Sequence, residues 1–245
     1  MMSTRLFLIE ALSNVHVGSG EINYGLIDNL IQRDPISGLP NINSSSLKGA
    51  LREYFSHVEK TRKTEDKHKW TVSDIFGSDP KADDKARKQG SVRFFEAELL
   101  ALPVRCVDKP YEMTTSSQTI KDLTEKLKSY GLLKKEEESI SKDTKDKLFG
   151  PSVKEESNYE KFRYSCSDDE LPVISRNYLE NGQSSNLWYE QVLPKLSRLC
   201  FFVMGDDNDS FKDFCKELDG ARVQIGANAT IGYGYCKITE IKTNN

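Results

Sequence analysis

Positive charge is in short supply in this chain. Its 245 residues carry 35 Lys and Arg against 38 Asp and Glu, a formal net charge of −3. Proteins that coat a polyanion draw much of their affinity from Lys and Arg contacts, so any nucleic-acid surface here must come from local placement of cations. Histidine is scarcer still. Of the three, His57 and His68 stand in a polar stretch far from any cysteine, which leaves little material for a structural zinc site. The five cysteines, Cys106, Cys166, Cys200, Cys215 and Cys236, lack Cys-x-x-Cys spacing, and the chain is long enough to bury a core without disulfides. A bound metal is therefore expected on oxygen ligands. No basic segment followed by a long apolar run opens the chain, no stretch reads as membrane-spanning, and no internal repeat is visible. Together these absences predict a reduced, cytoplasmic protein without a membrane partner.

What is present reads as one elaborated domain over 1–245. Arg5–Leu12 is an apolar, β-prone run that ends in a Gly turn, and a helix is expected from about Ser46 to Lys60. From Glu59 to Gly90 the chain is polar, with mixed charge at Arg62, Lys63, Asp66, Lys67 and Lys69 and again at Asp83, Asp84 and Lys85, so a solvated insertion is expected. Ser91–Leu100 returns to strand character. Within a second inserted segment, 108–165, Lys121–Lys147 places Leu123, Leu127 and Leu132 near helical spacing, which predicts a surface helix followed by a loose turn. Val173–Pro194 has β-prone ends around a polar Glu180–Ser185 turn and reads as a projecting hairpin. Leu199–Met204 is a core strand, Phe211–Leu218 a short amphipathic helix and Tyr235–Ile241 a closing strand. This order is compatible with an α+β, ferredoxin-like (RRM-like) core.

The chemistry concentrates between Val15 and Arg52. His16, Gly18, Ser19 and Gly20 form a Gly-rich segment in which amides can approach an anion. Ser44, Ser45 and Ser46 precede Lys48 and Arg52, a capped helix start with two cations one turn apart. A second Gly-rich loop, with Gly226, Asn228, Thr230, Gly232 and Gly234, offers similar amides near the C-terminus. Arg33–Gly38 is most simply a turn in which Asp34 accepts local amide bonds. His16 could move a proton, but no partner base is apparent in sequence, and a hydrogen-bonded or phosphate-contacting role fits it better. Asp28 is the lone acid of an otherwise apolar run, Gly25–Ile31. Residue type alone leaves a structural and a catalytic role equally open.

Read together, these motifs resemble the RAMP superfamily of CRISPR-associated RNA-binding proteins, and more narrowly the repeated backbone subunit of type III effector complexes. The likeness runs from His16–Gly20, Ile27-Asp28 and the Arg33–Pro40 turn to Ser45–Arg52. It continues through Asp74–Gly77, Leu99–Arg105, Ser175–Tyr178, Asn186–Pro194 and Val223–Gly234. Leu99–Arg105 and Asn186–Pro194 favour the Cmr (III-B) branch. The resemblance implies a palm-like core with inserted pieces at about 59–90 and 108–165, and a β-hairpin thumb at about 166–194. It also implies binding of a guide RNA along its backbone, through the residues of both Gly loops and the helix start with Arg176 and Asn177. Further implied are pairing with single-stranded target RNA, several copies of the subunit, and other CRISPR effector subunits as partners.

By that resemblance Asp28 falls at the family's cleavage aspartate, acting on the target's 2′-OH or as a ligand of a divalent cation such as Mg²⁺. One departure is visible: the family often has Glu where this chain has Ala229, so that residue's role does not carry over. Asn177, Tyr178, Trp188 and Tyr189 could stack on bases or pack against the next subunit. A non-catalytic scaffold and a stand-alone guide-processing endoribonuclease are the competing readings.

Overall fold

The computed structural model describes residues 2–20, 25–61, 69–78 and 88–243. His68 and the charged residues Arg62, Lys63, Asp66, Lys67, Asp83, Asp84 and Lys85 lie outside them. In chain order the elements are β1 (Met2–Ala11), β2 (Asn41–Ile42), α1 (Ser44–Thr61), α2 (Val72–Phe76), β3 (Arg93–Phe94), β4 (Ala97–Val104), β5 (Glu112–Ser116), α3 (Ser117–Ser129), α4 (Lys142–Phe149), β6 (Lys154–Glu156), α5 (Tyr159–Ser165), β7 (Val173–Glu180), β8 (Gln183–Gln191), β9 (Arg198–Asp206), α6 (Asp209–Leu218), β10 (Arg222–Gln224) and β11 (Tyr235–Ile241).

Four of these strands lie side by side in the order β11, β1, β9, β4, each antiparallel to its neighbour. With α1 between β1 and β4 and α6 between β9 and β11, this is the β-α-β-β-α-β order of a ferredoxin-like core, as expected from sequence. The sheet is widened by β10 beside β11 and by β5 and then β6 beyond β4, while β2 pairs with β4 and β3 with β9.

Leu6, Phe7, Leu8 and Ile9 form an unbroken buried run because both faces of the sheet are covered. Phe7, Ile9 and Ala11 point into one core with Leu47, Leu51 and Phe55 of α1 and Phe211 and Phe214 of α6. Leu6 and Leu8 point into a second core with Leu123 and Leu127 of α3 and Leu148 and Phe149 of α4. Aromatic rings tie the first core together: Phe55 stands 5.0 Å from Trp70 and 4.9 Å from Phe214, centroid to centroid. Each such buried ring contributes on the order of 1.5–3 kcal/mol.

Two segments differ from the sequence reading. Lys121–Lys147 holds most of α3 and most of α4, two helices where one was expected. Their apolar residues, joined by Leu133 and Ile140, close the second face of the sheet while their charges point outward. In the segment expected to be solvated, Trp70, Val72, Ile75 and Phe76 are buried against α1 and α6. Four apolar residues among so many charges are enough to seal that edge.

The hairpin stands apart. β7 and β8 pair with each other as a separate two-stranded sheet, turning at Asn181 (φ 52°) and Gly182 (φ 82°). Two successive positive φ values describe a type I′ turn, which Asn-Gly suits well. Tyr178, Leu179 and Leu187 are all more than half exposed on it. Among the described residues no helix is long and apolar enough to cross a membrane.

Candidate functional site

Four segments meet at the root of the hairpin. Val17–Ser19 runs beside Leu30–Gln32, with Ser19 N–H donating to Leu30 O and Gln32 N–H to Val17 O, both at 2.9 Å, and a bridge between Gly18 and Ile31. This corrects the reading of the first Gly segment as an open turn. Gly18 and Ser19 belong to a short ladder, which engages the Ser19 amide, and only Gly20 takes a positive φ, of 76°. His16 is 5% exposed, and its Nδ1 lies 2.7 Å from the carbonyl oxygen of Gln191, so Nδ1 carries the proton and donates.

The C-terminal Gly loop closes over the same point. Ala227 N–H donates to His16 O at 2.8 Å and Gly234 N–H to Asn14 O at 2.7 Å. Gly226 (φ 87°) and Gly234 (φ 72°) are fixed by this approach, since a Cβ would run into the His16 carbonyl at the first and the Ile225 carbonyl at the second. Asn228 caps the following turn in the left-handed region, and Thr230 and Gly232 are exposed beyond it. The two Gly segments, far apart in sequence, thus form one surface.

Asp28 lies on that surface, exposed, in a loop where Leu26 is also exposed. The loop is apolar in composition without being buried. Asp28 and Tyr189 exchange two hydrogen bonds: Asp28 N–H donates to Tyr189 O at 3.1 Å, and Tyr189 N–H donates to Asp28 Oδ2 at 2.8 Å. The acid is therefore oriented by the backbone of β8.

Sequence reasoning missed the polar knot beneath. Glu190, 6% exposed, accepts at Oε2 from Arg176 Nη1 (3.1 Å) and Asn228 Nδ2 (2.9 Å), and at Oε1 from Trp188 Nε1 (3.0 Å) and Asn29 Nδ2 (3.4 Å). Burial alone would raise its pKa, but the bonds from Trp188 and Arg176 outweigh it and hold the carboxyl below its ordinary value. Arg176 also donates to Asn228 Oδ1 at 2.6 Å and stacks over the Trp188 ring at 5.3 Å. Arg176, expected to contact RNA, and Trp188, weighed between base stacking and packing against the next subunit, are both engaged within the hairpin root. Gln191, fully buried, donates to Asp168, which also receives the Arg33 guanidinium at 2.8 Å. The detectable signal was two adjacent polar residues just before the apolar Val192-Leu193, where the strand enters the core.

The helix start is tied to this site by Gln32. Its Nε2 donates to Gly18 O (3.2 Å) and Ser46 Oγ (3.0 Å), and its Oε1 accepts from Asn43 N–H (2.8 Å). Ser44 and Ser45 are exposed, and with Lys48, Gln89 and Arg93 they line a polar cleft. Arg52 turns elsewhere and donates to Gly77 O at 3.2 Å. Asn177 is exposed on β7, accepting from Ser184 Oγ at 2.8 Å. Asp34 forms the local turn read from sequence, accepting from the N–H groups of Ile36 and Ser37 at 3.1 and 2.6 Å.

Among the described residues no three His, Cys, Asp or Glu side chains gather where they could hold a metal ion. One exposed carboxylate with an oxygen already engaged by Tyr189 is not by itself a cation site.

The family model for the RAMP superfamily matches residues 8–237. The chain belongs to the RAMP superfamily. It is 25% identical, over 300 residues covering 100% of this chain and 98% of the relative, to the CRISPR system Cmr endoribonuclease Cmr4 of Pyrococcus furiosus. Its fold matches a cryo-EM structure of the type III-B Cmr-beta complex bound to cognate target RNA, with a TM-score of 0.71 at 20% identity over 98% of this chain and 97% of that one. It likewise matches the crystal structure of oligomeric Cmr4 from Pyrococcus furiosus, with a TM-score of 0.71 at 19% identity over 100% of both chains. These solved structures share the fold of this RAMP chain.

Proposed function

We propose that this chain is a repeated backbone subunit of a type III-B CRISPR effector complex, which holds a guide RNA by its phosphates and cuts the paired target RNA through Asp28. The observation that carries this reading is the exposed Asp28 carboxylate, held by Tyr189 at the base of a projecting hairpin; the sequence resemblance assigns this residue the place of the family's cleavage aspartate. End-to-end likeness to an endoribonuclease of that system adds to it. Guide–target pairing supplies specificity, and the protein reads backbone geometry. The hairpin splays one nucleotide of the paired target so that its 2′-OH lines up with the adjacent phosphate. Asp28 accepts the 2′-OH proton as the 2′-oxygen bonds to phosphorus, and the P–O5′ bond breaks, leaving a 2′,3′-cyclic phosphate and a 5′-oxygen that takes a proton from water. Other copies and other effector subunits are its partners, and the cytoplasm is its place. Mg²⁺ is a condition varied in the test, since no three His, Cys, Asp or Glu side chains gather to hold a metal ion among the described residues.

The test is an assembled complex carrying wild-type or Asp28→Ala subunits. Target binding by gel shift should be equal, and cutting with Mg²⁺ should fall by roughly 10²–10⁴-fold. Cutting by the variant at the wild-type rate overturns the assignment. A wild-type complex that binds target and cuts under no metal condition makes the chain a scaffold.

A further inference from the structure

Asp28 takes its position from its neighbours. Both of its bonds run to the backbone of Tyr189, and the next residue along the strand is the buried Glu190. The four groups that reach the Glu190 carboxylate are all donors: Arg176 from β7, Asn228 from the C-terminal Gly loop, Trp188 from β8 itself, and Asn29 from the residue after Asp28. One carboxylate therefore grips the loop that carries Asp28, both strands of the hairpin and the loop that closes over His16. A parallel bridge between Asn29 and Glu190 adds backbone contact at the same point.

We infer that Glu190 is a positioning residue for Asp28, fixing the angle between the cleavage loop and the hairpin so that the acid and the nucleotide splayed by the hairpin keep one geometry. This rests on the reading of Asp28 as the cleavage acid. The chemistry favours a charged group: an amide at this place turns an N–H₂ toward donors whichever way it is flipped, and Asp is one methylene too short to span from β8 to Asn29 and Asn228. Reacting groups lose rate steeply with small misplacement, by as much as about 10²-fold per ångström.

The experiment uses the assembled complex with guide RNA and compares wild type, Glu190→Gln, Trp188→Phe and Asp28→Ala for target affinity, single-turnover cutting and cut position. Glu190→Gln should bind target as the wild type does, cut about tenfold slower or worse, and spread its cuts over neighbouring phosphates. Trp188→Phe removes one of the four donors and keeps an aromatic ring, so its rate should fall between the two. Wild-type rate and cut position in Glu190→Gln overturn the inference, as does a loss of cutting matched by an equal loss of target binding, which marks a merely structural role. Should Glu190→Gln fail to assemble, Trp188→Phe decides: slower cutting at unchanged affinity supports the inference and a wild-type rate overturns it. The Asp28→Ala arm keeps the two readings apart. A wild-type rate there overturns the cleavage assignment itself, whereas loss in Asp28→Ala with none in Glu190→Gln overturns only the role of Glu190.

Discussion

Arg52 reaches from the middle of α1 to the carbonyl oxygen of Gly77, 3.2 Å away at the end of α2. Lys48, one turn earlier on the same helix, lines the polar cleft with Ser44, Ser45 and Arg93. Adjacent on a helical wheel, the two cations have different surroundings.

Substituting them separately should show it. Lys48→Ala should weaken guide retention and reduce the salt slope of RNA binding by about one unit, the signature of one lost phosphate contact. Arg52→Ala should leave that slope close to wild type and lower stability by about 1 kcal/mol. Salt titrations of RNA binding, with urea denaturation of each variant, give both numbers. Equal salt slopes for the two variants would return Arg52 to the phosphate track.

The two glycines Gly232 and Gly234 form an internal control. Both have positive φ, but a Cβ at Gly232 meets open space, while one at Gly234 runs into the Ile225 carbonyl. Gly232→Ala should cost about 1 kcal/mol, and Gly234→Ala about 3 kcal/mol or more, since strain and collision add. Denaturant midpoints of the isolated subunit rank them.

Glu190 also makes stability depend on pH. Its carboxyl sits below the ordinary value of 4.5 in the folded chain, so the unfolded chain binds the proton more readily. The stabilisation is complete above that ordinary value and disappears as pH falls through the lower, folded one. Wild type should therefore exceed Glu190→Gln in denaturation midpoint at neutral pH, and the gap should narrow below about pH 4.5. A constant gap across that range would mean the carboxylate charge contributes nothing.

Tyr178, Leu179 and Leu187 are exposed on the hairpin and belong to neither hydrophobic core among the described residues. Replacing all three by Ser should leave the thermal midpoint of the isolated subunit within about 1 °C, yet change copy number or cut spacing in the complex. Unchanged assembly and cutting would place the working surface of the hairpin elsewhere.

Much of this fold could be read from the chain because its elements follow simple periods. The 4-residue spacing of Leu47, Leu51 and Phe55 fixes the buried face of α1, and Asn181-Gly182 fixes the hairpin turn. The second helical layer was harder, since charge dominates Lys121–Lys147 and hides the few leucines that seal it. The site divided the same way. Its Gly loops and helix start carry local signatures, and Asp28 was picked out by family resemblance. The pairings Glu190 with Asn228 and Gln191 with Asp168 join segments 38 and 23 residues apart, and Asn29 reaches Glu190 across 161 residues. No local pattern announces such contacts; they exist only once the sheet has brought the hairpin root home.

A type I′ turn at one end and a buried carboxylate at the other leave the hairpin's length and its bearing under separate control. Adding a residue pair to β7 and β8 lengthens the arm by about 3.4 Å per residue without disturbing Glu190 or anything below it. Altering the root swings the arm without changing its reach. Reach and aim can then drift independently in descendants of this chain.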